Sequence, residues 1–466
     1  MSVAKCGLGG MRVVVVGGGA AGMATASRVR RLRRDWEVVV LEKSRWVSFA
    51  LCGTPYYVGC VVRRIGDLVH YPLEEFTKRR GIDVRIGHEV VEVGDGYVRV
   101  RGGDGREYRL EYDKLVIATG AYPVKPRGIE GIDSEGVFVI GHLDDAIAIR
   151  EWLDRNTREG DGAVVVGGGL VGVEMAEAFR SWGLRVTIVE KLGWLLPGIL
   201  DPDMGERLTK IIAGVEGVNV VTGKGVSAVK RESGRAAGVL LEDGSEVGGR
   251  VVLVAVGRRP NTALAEQLGA RIGETGAVWV NERMETSVEG VYAVGDVAET
   301  VSIVTGRRTW LPFAQVANKM GYVAGSNIAG LDARFAGAAG TVAARVFGVT
   351  IAKTGLTLEE ARKLGFDAGS VTVEAGTKPR YMPGGSWVTL KLVYDRSSGR
   401  LLGAQALSGD ESGFWRINVV AALLHKHADV WDLFTVDVGY APPLNPVWDP
   451  LIVAARLALR DLGGKR

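Results

Sequence analysis

The chain opens with a short apolar run, a glycine-rich turn and an amphipathic stretch, and the same order returns farther along. In the first copy RVVVV at 12–16 precedes GGGAAG (Gly17–Gly22), and in the second AVVV at 163–166 precedes GGGLVG (Gly167–Gly172). Apolar runs of this length predict buried parallel strands, and the stretch after each turn predicts a helix. Each copy therefore predicts a strand, a turn, a helix and a second strand.

The glycines of each turn are placed as a dinucleotide site requires. The first permits the tight turn, the second lets a pyrophosphate approach the backbone, and the third lets the helix pack on the strand. The phosphates then meet free N–H groups at the helix N-terminus. Glu42 stands 20 residues after Gly22 and Glu190 stands 18 after Gly172, a spacing at which a carboxylate can bind an adenosine ribose. The sequence predicts two dinucleotide sites.

The remaining segments predict how the domains are arranged. Lys114–Pro123 and Val251–Asn261 are apolar runs that end in glycine turns, and each closes one unit. Gly290–Glu299 is a further strand after the second unit, which indicates that the second domain is inserted into the first. From about residue 340 alternating strands appear, with a helical stretch at Asn418–Phe434, and they predict an α+β domain.

The predicted fold is therefore α/β, with two Rossmann-like dinucleotide-binding domains and a C-terminal α+β domain. The pattern places the two parts of the first domain at 1–150 and 280–338, the second domain at 151–279 and the third at 339–466. A chain of 466 residues suits roughly three domains of ordinary size.

Composition removes several classes of function. The net charge of +4 comes from 58 basic and 54 acidic residues, so no global field favours nucleic acid. No stretch approaches the ~18 unbroken apolar residues of a membrane helix. The three cysteines, Cys6, Cys52 and Cys60, form no CxxC pair or multi-bridge framework, and the histidines have no metal-ligand spacing. A cytoplasmic protein without metal, membrane or nucleic-acid partner is expected.

Taken together, these motifs resemble the pyridine nucleotide-disulfide oxidoreductase superfamily over essentially the whole chain. The resemblance implies FAD on the first glycine loop, a nicotinamide cofactor on the second, and a homodimer formed through the C-terminal domain. The candidate FAD contacts are Gly17, Gly19, Ala21, Gly22, Glu42, Lys43, Thr119, Gly120, Gly295 and Asp296. The candidate nicotinamide-cofactor contacts are Gly167, Gly169, Leu170, Val171, Gly172, Glu174, Glu190 and Gly257.

The string SFALCGTPYYVG (Ser48–Gly59) resembles the single-cysteine subgroup of that superfamily. Oxidases and peroxidases of the subgroup usually carry a histidine in the first glycine loop, where this chain has Ala20. A small residue there resembles the coenzyme A disulfide reductases, so coenzyme A disulfide is the favoured substrate. Leu51 departs from the polar residue expected before the cysteine. Sulfur, polysulfide or persulfide reduction and NADH oxidation stay open as alternatives.

Cys52 is the candidate redox thiol. Gly53 and Pro55 suggest that it precedes a helix, whose N-terminal dipole is expected to lower the thiol pKa. A mixed disulfide between Cys52 and coenzyme A would then need no second cysteine in the chain. Cys60 is expected to be structural, and Cys6 lies in a leader with no expected role.

Arg28 and Arg31 lie three residues apart on the first predicted helix and share a face. Guanidinium groups match the phosphates of coenzyme A, although a solvated helix end would also carry such charges. By resemblance, these arginines and Ser48, Arg80 and Asn318 occupy substrate-side positions. Tyr440 and Tyr381 stand beside prolines on stiff loops, and similar tyrosines in coenzyme A disulfide reductases reach the partner's site.

Glu190 predicts a preference for NADH over NADPH, because a carboxylate bonds a ribose 2'-hydroxyl and repels a 2'-phosphate. Lys191 is adjacent and would weaken that preference. Glu174 matches a position that faces the nicotinamide, and Glu177 is expected to be solvated. Two other classes are less favoured. The string around Cys52 counts against a non-catalytic flavoprotein, and the helix at Leu451–Arg466, which could hold a membrane quinone reductase on a bilayer, is expected to pack in a dimer instead.

Overall fold

The computed structural model describes residues 10–463. The first glycine unit lies in a five-stranded parallel sheet, as its apolar runs predict. In spatial order the strands are Val291–Ala293, Lys114–Ile117, Arg12–Val16, Glu37–Glu42 and Asp83–Ile86. The strand Val291–Ala293 comes from beyond the second unit and pairs with Lys114–Ile117.

The second glycine unit lies in its own five-stranded parallel sheet. In spatial order the strands are Val218–Thr222, Arg185–Glu190, Gly162–Val166, Val251–Val254 and Val137–Phe138. The central strands of both sheets are buried valine-rich runs, because helices cover both faces of a parallel sheet. The domain limits placed from the sequence stay predictions.

The C-terminal part is built on an antiparallel sheet of five strands. In spatial order they are Val342–Val346, Val349–Gly355, Leu401–Ser408, Trp387–Asp395 and Ala368–Gly376. Its helices are Leu358–Lys363, Ser412–Leu424, Val430–Thr435 and Pro450–Asp461. An α/β chain with an α+β C-terminal part is therefore confirmed.

The other elements are shorter or connect these sheets. The helices of the first two parts are Ala20–Leu32, Thr54–Val58, Leu143–Asn156, Leu170–Arg180, Pro202–Ala213, Ala263–Gln267 and Ala314–Ile328. Two small antiparallel sheets contain Glu89–Gly94, Tyr97–Arg101 and Glu107–Glu111, and Val226–Glu232, Arg235–Leu241 and Glu246–Gly248. Two strand pairs join Ala121–Pro123 to Arg258–Pro260 and Thr300–Val301 to Arg308–Thr309. Single helical turns occur at Leu51–Gly53, Ile65–Leu68, Glu75–Arg79 and Gly295–Val297.

The two glycine turns have the same geometry, and it requires glycine. Gly17 and Gly167 have φ values of 111° and 106°, a region that disfavours side chains. A Cβ on Gly22 would lie 1.9 Å from the Gly17 carbonyl oxygen, and one on Gly172 would lie 2.0 Å from that of Gly167. The third glycine of each turn therefore lets the helix begin directly against the strand.

One prediction about the C-terminal helices was wrong. The stretch Asn418–Phe434 is broken, because the helix Ser412–Leu424 ends before His427, whose φ is 54°. The helix Pro450–Asp461 does not leave the fold: Leu451, Ala454, Ala455 and Ala458 are buried in the core of this part. No helix within residues 10–463 has the length and hydropathy needed to cross a membrane.

Candidate active site

One cavity of about 1220 Å³ brings together residues that lie far apart in sequence. The predicted FAD contacts that line it are Gly17, Gly19, Ala21, Glu42, Lys43, Thr119, Gly120, Gly295 and Asp296. Cys52 lines the same cavity together with all five predicted substrate residues, Arg28, Arg31, Ser48, Arg80 and Asn318. The first nucleotide loop, the candidate thiol and the candidate substrate residues thus share one space.

The predicted contacts of the second glycine loop lie elsewhere. Of the residues that the structure describes, Gly167, Gly169, Leu170, Val171, Gly172, Glu174, Glu190 and Gly257 are not part of the lining of that cavity. Gly22 also lies outside the lining, since it packs against Gly17. The second nucleotide loop is therefore not part of this cavity.

Both acids at the ends of the second strands are held by backbone donors. Glu42 accepts hydrogen bonds from the backbone N–H groups of Gly18, at 2.8 Å, and Ser44, at 2.7 Å. Glu190 accepts from Gly168 at 2.7 Å and Leu192 at 2.8 Å. Both side chains are buried, so each carboxylate is fixed beside its glycine turn.

Cys52 lies in the single turn Leu51–Gly53, directly before the helix Thr54–Val58. The turn is closed by Thr54, whose Oγ1 donates to the Leu51 carbonyl at 2.7 Å. A Cβ on Gly53 would lie 2.4 Å from Leu68 Cδ2, so a larger residue here would displace the Leu68 side chain. The thiol is accessible at the cavity wall, where a substrate sulfur can reach it.

The expected lowering of the Cys52 pKa was wrong in direction. Protein surrounds the sulfur on the sides away from the cavity, and this burial, followed by the charge of Glu174, raises the pKa of the thiol. Arg258 acts in the opposite direction and Asp296 adds to the rise. A helix of five residues, Thr54–Val58, is too short for its dipole to outweigh these effects.

Asp296 and Arg258 form the polar end of the cavity beside Cys52. Arg258 Nη1 donates to Asp296 Oδ2 at 3.3 Å, and Arg258 Nη2 donates to the Ala121 carbonyl at 3.0 Å. Burial raises the pKa of Asp296, and Arg258 opposes that rise. Sequence reasoning missed Arg258, although it directly follows the predicted contact Gly257.

The arginines of the first helix divide into two groups. Arg28 and Arg31 line the cavity, and Arg28 Nε donates to Ser326 Oγ at 2.9 Å while its guanidinium stacks 4.2 Å from the centre of the Tyr322 ring. Arg30 instead donates to the carbonyls of Arg80 and Trp36. The predicted shared face of Arg28 and Arg31 is therefore the one that faces the cavity.

A second arginine and aromatic pair lies on the same cavity. Arg80 donates to Ser27 Oγ at 2.9 Å and to Glu75 Oε1 at 3.1 Å. Its guanidinium lies 4.7 Å from the centre of the Tyr71 ring. Tyr71 and Tyr322 line the cavity and are half exposed. No sequence signal marked these tyrosines, because each meets its arginine only in the fold.

Tyr381 and Tyr440 lie together on the C-terminal part, outside the cavity. Their hydroxyl oxygens are 3.4 Å apart, and the hydrogen bond between them raises the pKa of Tyr440. Both rings are largely exposed. Within one chain, therefore, neither phenol meets Cys52, and their role stays a prediction.

A buried ion pair anchors the loop that carries Tyr440. Arg416 Nη2 lies 2.7 Å from Asp449 Oδ2, and the two side chains are 8% and 6% exposed. Asn445 Nδ2 donates to the Gly439 carbonyl at 3.0 Å, and Asn445 Oδ1 accepts from the Ala441 N–H at 3.2 Å. The phenol is thus presented on an anchored loop.

Glu174 and Glu177 lie three residues apart on the helix Leu170–Arg180. Burial, with the charge of Glu177, raises the pKa of Glu174 to about 7. The solvated position expected for Glu177 was wrong: it is partly buried and accepts a 2.6 Å hydrogen bond from the Phe347 N–H. Glu177 therefore joins the second nucleotide unit to the C-terminal part.

Within the described residues, Cys60 and the histidines form no comparable site. Cys60 is exposed, has a φ of 63°, and its Sγ lies 3.8 Å from the Val58 carbonyl. Cys6 lies outside the described residues. Across residues 10–463 there is no group of three or more potential ligands from histidine, cysteine and acidic side chains that could hold a metal.

Comparison with known proteins places this arrangement in a family. The profile described as "Pyridine nucleotide-disulphide oxidoreductase" matches residues 11–321, and the corresponding "dimerisation domain" profile matches residues 342–451. A solved structure described as a NAD-dependent persulfide reductase from A. fulgidus is 37% identical with a TM-score of 0.93. That likeness covers 97% of this chain and 84% of the other.

Curated relatives differ in the acceptor that their names give. The "NAD(P)H sulfur oxidoreductase (CoA-dependent)" of Pyrococcus abyssi is 46% identical, over 96% of this chain and 97% of the relative. The "Coenzyme A disulfide reductase" of Staphylococcus haemolyticus is 28% identical, over 93% of this chain and 96% of the relative. The sulfur-reducing relative is thus the more similar of the two.

Proposed function

Because the chain belongs to the pyridine nucleotide-disulphide oxidoreductase family, we propose that it is a coenzyme A-dependent NAD(P)H reductase of polysulfide or persulfide sulfur. This was the alternative to the coenzyme A disulfide favoured by the sequence. The relative named for sulfur reduction is 46% identical, against 28% for the one named for coenzyme A disulfide. The observation that carries the proposal is one accessible thiol, Cys52, in the same cavity as Arg28 and Arg31.

FAD and NAD(P)H are the cofactors of this family, and the cavity fits FAD. A Cβ placed on Gly19 would have no atom within 4 Å, so the backbone of the first turn is open to a phosphate. Glu42 is fixed beside that turn, and Asp296 lies near Cys52 at the other end. When bound, FAD passes two electrons from NAD(P)H to a sulfur–sulfur bond at Cys52.

Cys52 supplies the covalent step. Its thiolate attacks the coenzyme A sulfur of a persulfide, CoA–S–SH, which forms Cys52–S–S–CoA and releases hydrosulfide. Two electrons and one proton then cleave that disulfide into coenzyme A thiol and the Cys52 thiolate. Each NAD(P)H oxidised to NAD(P)⁺ therefore yields one hydrosulfide and one coenzyme A thiol from each persulfide.

Arg28, Arg31 and Arg80 supply the recognition of coenzyme A. Their guanidinium groups line one cavity, and each matches a phosphate with a fork of donors. Tyr322 and Tyr71 stack on Arg28 and Arg80, which keeps the guanidiniums extended. Ser48 and Asn318 line the same cavity and are further candidate contacts.

The protein acts as a homodimer in this proposal, as expected of a chain with the family's dimerisation domain. Tyr440 of the partner subunit then donates the proton to the departing coenzyme A sulfur, with Tyr381 hydrogen-bonded beside it. The anchored loop below Tyr440 suits such a role, because a general acid must be held within reach of its acceptor.

The test compares four acceptors with the purified FAD protein and NADH: coenzyme A persulfide, polysulfide with and without coenzyme A, coenzyme A disulfide and oxygen. We expect the fastest NADH oxidation with coenzyme A persulfide, one sulfide released for each NADH, and polysulfide reduction that depends on coenzyme A. Cys52→Ser should abolish sulfide release, and Cys60→Ser is its matched control. Faster turnover with coenzyme A disulfide, or sulfide release by Cys52→Ser, would contradict the proposal.

A further inference from the structure

Arg258 lies on the connection between the two nucleotide units, where Arg258–Pro260 pairs antiparallel with Ala121–Pro123. The Ala121 carbonyl and Asp296 Oδ2 accept from its two terminal nitrogens, at 3.0 and 3.3 Å. Its side chain is 24% exposed and lines the cavity that contains Cys52. A backbone carbonyl and a carboxylate therefore hold this cation at the wall where the sulfur reacts.

The charges around the Cys52 sulfur are unequal. Glu174, on the helix Leu170–Arg180, and Asp296, after the strand Val291–Ala293, both raise the pKa of the thiol, and burial raises it most. Tyr56, on the helix that follows Cys52, is neutral near pH 7, because burial raises its own pKa. Within the described part of the chain, Arg258 is the cation found to oppose these effects.

Arg258 also has unused donor capacity. Its Nε is buried and has no hydrogen-bond partner among residues 10–463. Guanidinium carries five N–H donors, and a buried donor without a partner is unfavourable. Two of its nitrogens therefore hold the side chain in position at the cavity wall, while its buried Nε–H has no partner.

We propose that Arg258 is the counter-cation that favours the thiolate form of Cys52 against burial and the charge of Glu174, and that Asp296 and the Ala121 carbonyl position it for that role. Arg258 acts through its charge and not through a bond to sulfur, so it is a positioning residue. The inference rests on the proposed function in taking Cys52 as the reacting thiol. Without this cation, the sulfur would face two carboxyl groups and a partly buried wall, which favour the thiol over the thiolate.

The test measures the ionisation of Cys52 directly, without a sulfur substrate. The FAD protein is reduced with a thiol, desalted, and alkylated with iodoacetamide between about pH 6 and 11.5, and modified Cys52 is followed by peptide mass spectrometry. Cys60 in the same digest is the internal control. The variants are Arg258→Met, Arg258→Lys, and Arg259→Met, which removes the same charge from the exposed neighbouring residue.

Arg258→Met should raise the midpoint of Cys52 alkylation by about one pH unit or more, which lowers the rate at pH 7 about tenfold. Arg258→Lys should restore most of the shift, and Arg259→Met should leave the midpoint unchanged. An unchanged midpoint in Arg258→Met, with FAD content retained, would overturn the inference. So would a Lys variant that behaves like the Met variant, because a structural role alone would then explain the loss.

Glu174→Gln keeps the inference testable if Arg258→Met does not retain FAD. Removing a carboxylate that opposes Arg258 should lower the Cys52 midpoint, and no change would refute the balance of charges. The outcomes also separate this inference from the proposed function. If the Cys52 midpoint rises in Arg258→Met but the wild type reduces no sulfur substrate, only the proposed function is contradicted. If the wild type reduces sulfur substrates but the midpoint does not change in Arg258→Met, only the role of Arg258 as counter-cation is contradicted.

Discussion

Replacing Glu190 by Gln should move the cofactor preference of this enzyme towards NADPH. Both oxygens of Glu190 are fixed by backbone N–H groups, of Gly168 and Leu192, and the side chain is 8% exposed. A 2'-phosphate placed about 5 Å away would meet a repulsion of about 1 kcal/mol at the dielectric constant of water and about 3 kcal/mol at an effective value of 20. Lys191 relieves little of this, since its ammonium lies 3.0 Å from Glu242 Oε1.

The assay compares kcat/KM for NADH and NADPH in the wild type, in Glu190→Gln, and in Glu206→Gln as an exposed charge control. The wild type should prefer NADH. A loss of 1 to 3 kcal/mol of repulsion corresponds to a shift of the NADPH to NADH ratio by roughly 5-fold to 200-fold, and Glu206→Gln should show none. Wild-type preference for NADPH, or an unchanged ratio in Glu190→Gln, would refute the reasoning.

Three further outcomes are expected. Tyr440→Phe should slow sulfide release about 10²- to 10⁴-fold while NADH still reduces FAD, and heterodimers with Cys52→Ser, confirmed by native mass spectrometry, should regain activity if Tyr440 acts across the interface. Asp449→Ala should lower the stability of the C-terminal part by about 3–5 kcal/mol, because it leaves Arg416 buried and unpaired; an unchanged unfolding midpoint would contradict this. Burial raises the pKa of Glu174 from 4.5 to about 7, so the free energy of unfolding falls as pH rises through that range. Glu174→Gln should therefore match the wild type in stability near pH 4 and be up to about 3 kcal/mol more stable at pH 8. Equal melting temperatures at pH 8 would argue against it.

The nucleotide units were predictable because their signals are local. Strand, glycine turn, helix and terminal acid follow one another within about 30 residues, and parallel pairing follows from the order of the elements. The arginine rows were also predictable from helix periodicity, although only the fold decides which row faces the cavity. Arg28 and Arg31 face the cavity, whereas Arg30 donates hydrogen bonds to nearby carbonyls.

Contacts between distant parts of the chain had no such signal. Arg258 meets Asp296 across 38 residues and Glu177 meets Phe347 across 170, and neither pair belongs to a periodic pattern. The prediction of a lowered pKa for Cys52 was wrong for the same reason. The helix after Cys52 was visible in the sequence, but its short length and the nearby Glu174 were not, and burial with that carboxyl decides the direction.

Two buried ion pairs relate the third part of the chain to the chemistry. Asp201, at the start of the helix Pro202–Ala213, lies 3.2 Å from Lys391 Nζ and accepts from Gln405 Nε2 at 2.6 Å, so it fastens the second nucleotide unit to the C-terminal sheet. Arg416 and Asp449 then fasten the loop of Tyr440 to the same part. Buried pairs of this kind add little net stability compared with apolar residues, but they tolerate few alternative arrangements. In the proposed dimer their value is positional, because Tyr440 on one subunit could serve Cys52 of the other only if each connection between them is fixed.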